Sequence, residues 1–484
     1  MRNKTNHSVI VWKNLFFLFL ITLVFSCTKS ESGNPTSSAI TGFSFQQSAN
    51  PIPVNSSASI NGSNIVIFLP PGTNPNALVA NFSLSDSAIV RVNGNPQING
   101  VTPNDFSSPV IYTVTSPSGV LQSYTVTLIT AISAVDQNVT NFMAKYNIPA
   151  LSIAITLNER LVYANAYGKS DIENNQTANI TDLYRISSLS KQLTSAAIMV
   201  LIDQGKIHMD DKVFGTGSIL GNDYGTPPYS AGISDINVGE LLHHTEGGWP
   251  DNSTDPLLTN PSFSTQQILS WGLDNVPLLQ SPGGPQSYYY SHFGYCILGR
   301  VIEKITGLPY QKAVQSLILQ PSGISDMQIA ANTLAGRLPQ EVKYYGQNNI
   351  DPYSFNITRM DAANGWVASA TDLARFLVHV DGLSSETILS PNALQIMSTG
   401  STANPKYACG WEINPYNWYH HGLLPGTGTS QAITTQSGNF NYVILANTGS
   451  SDPNFSSDMD NIFWMSLTPN SVWPGYDLFQ SAKP

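Results

Sequence analysis

Ser188-Leu189-Ser190-Lys191 sets a hydroxyl and an ammonium three positions apart. On a helix, that spacing puts both side chains on one face. A serine hydroxyl is a poor nucleophile until a neighbour takes its proton, and an amine at this distance is such a neighbour. The pair would stand at a helix N-terminus, where the dipole favours the negative charge that develops during attack on a carbonyl. The chemistry these residues could do is therefore acyl transfer through a serine ester. The pattern is short, and it recurs at Ser26-Cys27-Thr28-Lys29 in a segment of a different kind. By itself, Ser188 reads equally well as a helix-capping serine.

Two further groups could complete such a site. The first is Tyr290-Ser291-His292. A tyrosine acts as a base only if its pKa falls well below the usual ~10, and a nearby cation such as Lys191 would favour the phenolate. The plainer reading makes Tyr290 one packed aromatic in the Tyr288-Tyr289-Tyr290 run. The second group is His420-His421-Gly422. A glycine on an edge strand allows close approach of a substrate backbone. The N–H of Leu423, just after it, could join the N–H of Ser188 as an oxyanion hole. Adjacent histidines also suit a metal site or a solvated strand end, with His243-His244 as further ligands. The chain has no His-Glu-x-x-His and no Cys/His zinc spacing, so no metal and no organic cofactor is expected.

The elements that must position these groups follow from periodicity. Leu193, Ala196, Ala197, Val200 and Leu201 recur at helical spacing after Lys191, and Gly205 supplies a stop. Tyr295, Leu298, Gly299 and Ile302 form a similar stripe after His292, ended by Gly307 and Pro309. Around them, residues 133–484 open with a helix (Val135–Tyr146) and two strands (Leu151–Leu157, Arg160–Tyr167). Strands return near Ala408–Ile413, Ala432–Thr435 and Tyr442–Ala446, and a last helix covers Ser456–Leu467. Strands at both ends of a helical middle predict one sheet built from both termini. A cleft should lie between that sheet and an all-helical lobe. Trp249, in the Gly-rich loop after Glu246, could wall the cleft or serve the core.

Residues 39–132 differ in composition, with Asp86, Arg91 and Asp105 as their only charges. Short alternating runs (Ile40–Phe45, Ile65–Leu69, Leu78–Leu84, Ile89–Val92, Val110–Val114, Tyr124–Ile129) are separated by Asn-Gly and Pro-Gly turns. This predicts an all-β, antiparallel sandwich with no catalytic chemistry. It would serve as a wall- or glycan-binding module or, more simply, as a stalk.

The first residues read as a secretory leader. Arg2, Lys4 and Lys13 precede an apolar run at 15–25 and then Ser26-Cys27. Leu23-Val24-Phe25-Ser26-Cys27 resembles a bacterial lipobox, which implies removal of 1–26, acylation of Cys27 and a polar tether over 27–38. That cleavage removes three cations and no anions, so the formal charge moves from −10 to −13. An acidic mature chain argues against nucleic acid as a partner. Cys296 and Cys409 remain, too few for a disulfide framework, and their pairing is open.

In order, Ser-x-x-Lys, Tyr-x-His and His-x-Gly make residues 133–484 resemble the serine β-lactamase-related family. That family includes class C β-lactamases, DD-carboxypeptidases, D-aminopeptidases and esterases. The resemblance also rests on Leu183–Ser187, Leu241-Leu242-His243-His244-Thr245-Glu246-Gly247, Phe293-Gly294-Tyr295, Ala368–Phe376 and Cys409-Gly410-Trp411. The 39–132 module resembles the immunoglobulin-like domains of surface lipoproteins. The implied fold is α+β of the β-lactamase/transpeptidase type: an antiparallel sheet flanked by helices, plus an all-helical lobe. The implied roles are Ser188 as acylated nucleophile, Lys191 as its proton partner and Tyr290 as general base. His292, His420, Gly422 and Leu423 fall at substrate-binding and oxyanion positions.

Two departures bear on substrate. His292 stands where the family usually has Asn, and His420 where true β-lactamases have Lys. A partly charged His would hold a substrate carboxylate less firmly, so an ester, D-amino-acid peptide or amide is expected over a β-lactam. Tyr163-Ala164-Asn165 matches the class C Tyr-x-Asn pattern but precedes Ser188, and His292-Phe293-Gly294 overlaps the Tyr290 motif; both are set aside. The expected protein is a lipid-anchored serine hydrolase of the bacterial cell envelope, periplasmic or surface-exposed. It would act on a small-molecule or peptide substrate, cell-wall peptide among the candidates. The alternative is a penicillin- or wall-peptide-binding protein of the same fold that does not turn over.

Overall fold

The computed structural model describes residues 38–480, apart from 86, 131, 384–385, 435–437 and 468–471. The expected leader, Cys27 and all but the end of the tether lie outside the described residues. Among the described residues, no helix is long and apolar enough to cross a membrane.

The N-terminal strands are β1 (Ile40–Phe45), β2 (Asn64–Phe68), β3 (Leu78–Leu84), β4 (Ile89–Val92), β5 (Val110–Thr115) and β6 (Leu121–Ile129). With four two- or three-residue strands they form a four-stranded and a six-stranded sheet. Alternate residues of both sheets enclose one core, in which Phe43, Phe45, Phe106 and Tyr112 pack edge to face or stacked. One expectation needs correction. The sandwich is not wholly antiparallel, because β6 runs parallel to β2 in the register Val126↔Ile65. Alternation has the same period in either direction, so the pattern marks a strand without showing its sense.

A third sheet, in the C-terminal part, has seven strands. Its central members are β7 (Ala150–Leu157), β8 (Arg160–Asp171), β9 (Asn417–Leu424), β10 (Thr427–Thr434) and β11 (Phe440–Ala446). The order β8-β7-β11-β10-β9 joins the two ends of this half of the chain, with Leu151 opposite Ala446. Every pair is antiparallel. Helices cover both faces, so the inner strands β7, β11 and β10 are nearly continuously buried rather than alternating in exposure. The period of two survives in where each residue points. Leu151, Ile153 and Ile155 meet helices Ser133–Tyr146 and Phe455–Trp464, whereas Ala150 and Ala154 face the helical lobe.

That lobe is centred on the helix Ser190–Asp203, buried all round from Ser190 to Met199. Its polar side chains find partners: Thr194 Oγ1 donates to Ala362 O at 2.7 Å, Ser195 Oγ meets Tyr295 Oη at 3.2 Å, and Gln192 pairs with Gln431 of β10. The helix His292–Thr306 begins at its cap Ser291, whose Oγ accepts from Gly294 N at 3.0 Å, and ends at Gly307 in the left-handed region. Cys296 and Cys409 are two separate, buried free thiols.

Candidate active site

Ser188 lies in a single 3-10 turn, Ser187–Leu189, that runs into the Ser190–Asp203 helix. In such a turn, residues three apart eclipse one another. Ser188 Oγ lies 3.4 Å from Lys191 Nζ and 3.1 Å from Asn364 Oδ1. The preceding Ser187 has φ +53°, a left-handed value unusual for a residue other than glycine. Strain of this kind gathers at functional sites, and here it turns the chain sharply just before the candidate nucleophile. Ser188 keeps 6 % of its surface, while Lys191 is fully buried.

Burial acts on the amine directly. A charged ammonium loses its hydration there, and this pushes the Lys191 pKa down to about 7, against a smaller opposing pull from Asp251, Cys296 and Asp255. Nζ has two more polar neighbours, Ala363 O at 3.2 Å and His292 Nδ1 at 3.0 Å. It also sits 4.8 Å from the centre of the Tyr290 ring.

Tyr290 differs from the expectation of a phenolate lowered by Lys191. Burial drives its pKa well above the ordinary value, and a contact with Ser188 opposes this only in part. The group is held as a neutral phenol by its own burial, the largest cause of the shift. His420 also departs from its expected partial charge. Burial first, then the charge of Lys191, brings its pKa down to about 3. It is therefore a neutral ring in no position to act as a cation for a carboxylate.

The tautomers follow from a chain of contacts. Ser291 N–H donates to His244 Nδ1 at 3.0 Å, so His244 carries its hydrogen on Nε2 and donates to Tyr407 Oη at 3.1 Å. At the far end, His420 Nδ1 is 2.6 Å from His421 O, a pure acceptor, so the hydrogen is on Nδ1 and Nε2 is the acceptor. Nε2 lies 3.4 Å from Tyr407 Oη and 3.3 Å from Tyr290 Oη. That one lone pair accepts from only one of the two hydroxyls at a time; when Tyr407, already accepting from His244, supplies the hydrogen, that of Tyr290 is free for the Ser188 side.

His292 opens its helix with Nε2 at 2.9 Å from Asp251 Oδ1. Burial and Lys191 together lower its pKa, so the ring is neutral. Asp251 comes from the loop after Trp249, and its N–H donates to Tyr290 O at 2.7 Å. Trp249 itself is core, fully buried, with Nε1 donating to Val276 O at 2.9 Å and its ring on Phe293. The donor atoms of Asp251, Asp255 and His292 lie within 4.8 Å of one another, the one group among the described residues that could hold a metal ion.

Strand β9 brings the third motif to the serine turn. Gly422 lies against Ile186 and Ser187, where a Cβ would come within 2.7 Å of Ser187 Cβ. The close approach that glycine permits is thus to the protein's own turn, not to a substrate. Leu423 follows it, 48 % exposed and opposite Gly428 beside the β9–β10 turn. His421 points to the other face, where Nε2 meets Asp460 Oδ2 at 2.8 Å. Ser188, Lys191, Tyr290, His292, His420 and the Gly422-Leu423 step therefore converge. Tyr163 does not: it is bonded to Asp136 and Tyr167 on β8.

Sequence reasoning assigned no role to Asn364, Asp251 or Tyr407, and offered His244 only as a possible metal ligand. His244 lay within a stretch that carried the resemblance. Of the other three, Asn364 ends the short helix Asp361–Asn364 and Asp251 and Tyr407 lie between helices and strands, with no spacing rule to flag them.

Both parts of the chain are similar to known proteins. The family profile described as Beta-lactamase matches residues 135–463, and one described as SGBP, N-terminal, matches residues 40–128. A relative named putative D-alanyl-D-alanine carboxypeptidase from Escherichia coli (strain K12) is 22% identical over 305 residues, 55% of this chain and 68% of its own. Two solved structures share the fold. The D-amino acid amidase from Ochrobactrum anthropi SV3 has a TM-score of 0.56 at 20% identity, covering 69% of this chain and 97% of its own. The octameric penicillin-binding protein homologue from Pyrococcus abyssi has a TM-score of 0.56 at 21% identity, covering 71% and 79%. A profile match over more than half the length, resting on the same strands and helices that gather Ser188, Lys191 and Tyr290, shows that the chain belongs to the Beta-lactamase family of serine hydrolases.

Proposed function

We propose that the protein hydrolyses esters or D-amino-acid peptides and amides through an acyl-enzyme on Ser188. The observation that carries this reading is the buried Lys191 amine, 3.4 Å from Ser188 Oγ with its pKa brought to about 7. At neutral pH about half of such an amine is free to take a proton, whereas an exposed lysine is almost wholly protonated.

In the proposed cycle, Ser188 Oγ forms a bond to the substrate carbonyl carbon while its proton passes to Lys191 Nζ. The oxygen that gains charge is held by the N–H groups of Ser188 and Leu423. The neutral phenol of Tyr290 gives its proton to the departing alcohol or amine as the carbonyl–leaving-group bond breaks, and recovers one by way of Lys191. Water then attacks the ester by the reverse route. His420 orients the Tyr290–Tyr407 hydroxyls rather than binding charge. His420 carries no charge to meet a substrate carboxylate, and Asp251, 40 % exposed, adds a negative charge beside His292. This favours substrates without a carboxylate on the leaving side, so β-lactams are expected to be poor. Anchoring through Cys27 and a place in the cell envelope belong to the same proposal.

The test is turnover of a chromogenic short-chain ester and a chromogenic cephalosporin by the protein and its Ser188→Ala variant. Ester turnover lost in Ser188→Ala, with little cephalosporin cleavage, supports the reading. Absence of both, together with no labelling by a fluorescent phosphonate, overturns it.

A further inference from the structure

As a neutral amine, Lys191 has two hydrogens and one lone pair, and three polar neighbours at 3.4, 3.0 and 3.2 Å: Ser188 Oγ, His292 Nδ1 and Ala363 O. Ala363 O can only accept, so it takes one hydrogen. The state of His292 Nδ1 decides the rest. If Nδ1 is bare it accepts the second hydrogen, and the lone pair is left facing the Ser188 hydroxyl. If Nδ1 carries a hydrogen it donates into that lone pair, and the base is capped.

The other ring nitrogen settles which state holds. Nε2 is 2.9 Å from Asp251 Oδ1. An ionised carboxylate only accepts, so it keeps the ring hydrogen on Nε2 and leaves Nδ1 bare. Against a desolvation cost that would raise it, the hydrogen bond from His292 holds the Asp251 carboxyl below its ordinary value. The carboxylate is placed by its own N–H on Tyr290 O at 2.7 Å and by the buried Trp249 two residues earlier, whose left-handed φ of +57° turns the loop.

We propose that Asp251 and His292 are positioning residues that set the direction of the Lys191 lone pair, so that Ser188, Lys191, His292 and Asp251 work as one hydrogen-bonded line. This rests on the acyl-enzyme reading of Ser188. An Asn at position 292 would present a carbonyl oxygen to Lys191 without any choice of tautomer; the His found here brings a need for Asp251. The groups facing the line are the Tyr290 ring on His292, Asp255 beside Asp251, and Cys296, His244 and His420 around Lys191. Asp255, also pushed up by burial to about 7, titrates in the same range as Lys191. A pH profile alone therefore does not report on the line, and the ring nitrogens have to be observed.

The experiment uses the full chain with 15N-labelled histidine, the His292 signals being assigned by their loss in His292→Asn. The expected result is an Nε2-protonated His292 in the unchanged protein. In Asp251→Asn, whose amide can donate as well as accept, Nδ1-protonated ring appears and kcat on the ester falls about tenfold or more with KM little moved. The acid limb of the pH profile moves to lower pH, since a charge that favoured the ammonium is gone. In a His292→Asn background the same Asp251 change leaves kcat within about threefold, there being no imidazole to reprotonate. A bare Nε2 in the unchanged protein overturns the proposal, as does an equal loss in both backgrounds. If the unchanged protein neither turns over ester nor labels at Ser188, the acyl-enzyme reading fails, while the ring signals still decide the tautomer.

Discussion

Gly422 rests on Ser187, the residue that turns the chain into Ser188, with 2.7 Å between the Ser187 Cβ and the place a Cβ on 422 would take. The other contacts of such a carbon are Thr429 Oγ1 and Ile186 O, and neither is the far end of a flexible side chain. Gly422→Ala should therefore push β9 off the serine turn. Overpacking of this kind costs about 1–3 kcal/mol, readable as a lowered denaturation midpoint. Ester turnover should fall further than that loss of stability accounts for, because the Leu423 N–H moves with the strand. Full activity in Gly422→Ala would rule out Leu423 as an oxyanion donor.

Lys191 links activity and stability through one proton. Its folded pKa, about 7, is below the ordinary value of 10.5. Activity needs the free amine, so kcat/KM should rise with pH through an acid limb centred near 7. For stability, the unfolded chain binds the extra proton between these two values, so stability rises with pH across that window. Below pH 7 the penalty for the buried ammonium is present in full. Lys191→Met should abolish turnover yet raise the melting temperature at neutral pH, by a gain on the order of a few kcal/mol. That gain should shrink as pH rises towards 10. A Met variant less stable than the parent at pH 7 would contradict a desolvated lysine.

Tyr290 as a neutral acid, rather than a phenolate base, has a kinetic signature. Tyr290→Phe removes the proton donor to the leaving group but leaves Lys191 in place. Esters of good leaving groups, such as nitrophenol, need little protonation and should lose about tenfold or less, whereas amides should lose about 10²–10⁴-fold. Equal losses for both, measured as kcat/KM, would favour a role for Tyr290 in attack.

On the far face of β9, His421 and Asp460 tie the strand to the C-terminal helix. Asp460 also accepts from Ser430 and, at 3.0 Å, from Tyr442. Desolvation would lower the His421 pKa, but the Asp460 partnership outweighs it and raises it above 6.5. A raised folded pKa means stability that is present below the unfolded value and lost as pH climbs through the folded one. Asp460→Asn should remove that dependence and destabilise the protein by about 1–3 kcal/mol. A melting curve series from pH 5 to pH 9 on both proteins tests the sign.

The helices around Ser188 and His292 were legible because apolar residues at 3.6-residue spacing leave no other economical packing. The sandwich strands were legible as alternating runs, but not the parallel pairing of β6 with β2, since alternation carries no direction. Among the site residues, Ser188, Lys191, Tyr290, His292 and His420 were visible as reactive types at fixed offsets. Asp251, from a loop, and Asn364, from the short helix Asp361–Asn364, were not, because both are related to Ser188 only in space.

By itself the sequence determined which groups could react and which segments would carry them: a serine, a lysine and a tyrosine at the heads of apolar helices, and a glycine in a late strand. The tertiary structure alone decided their protonation. Burial leaves Lys191 near neutrality, keeps Tyr290 a phenol and discharges His420, three outcomes set by the loss of water around groups drawn together from distant segments. A residue type fixes what a side chain can ionise to; only its surroundings fix which form is present.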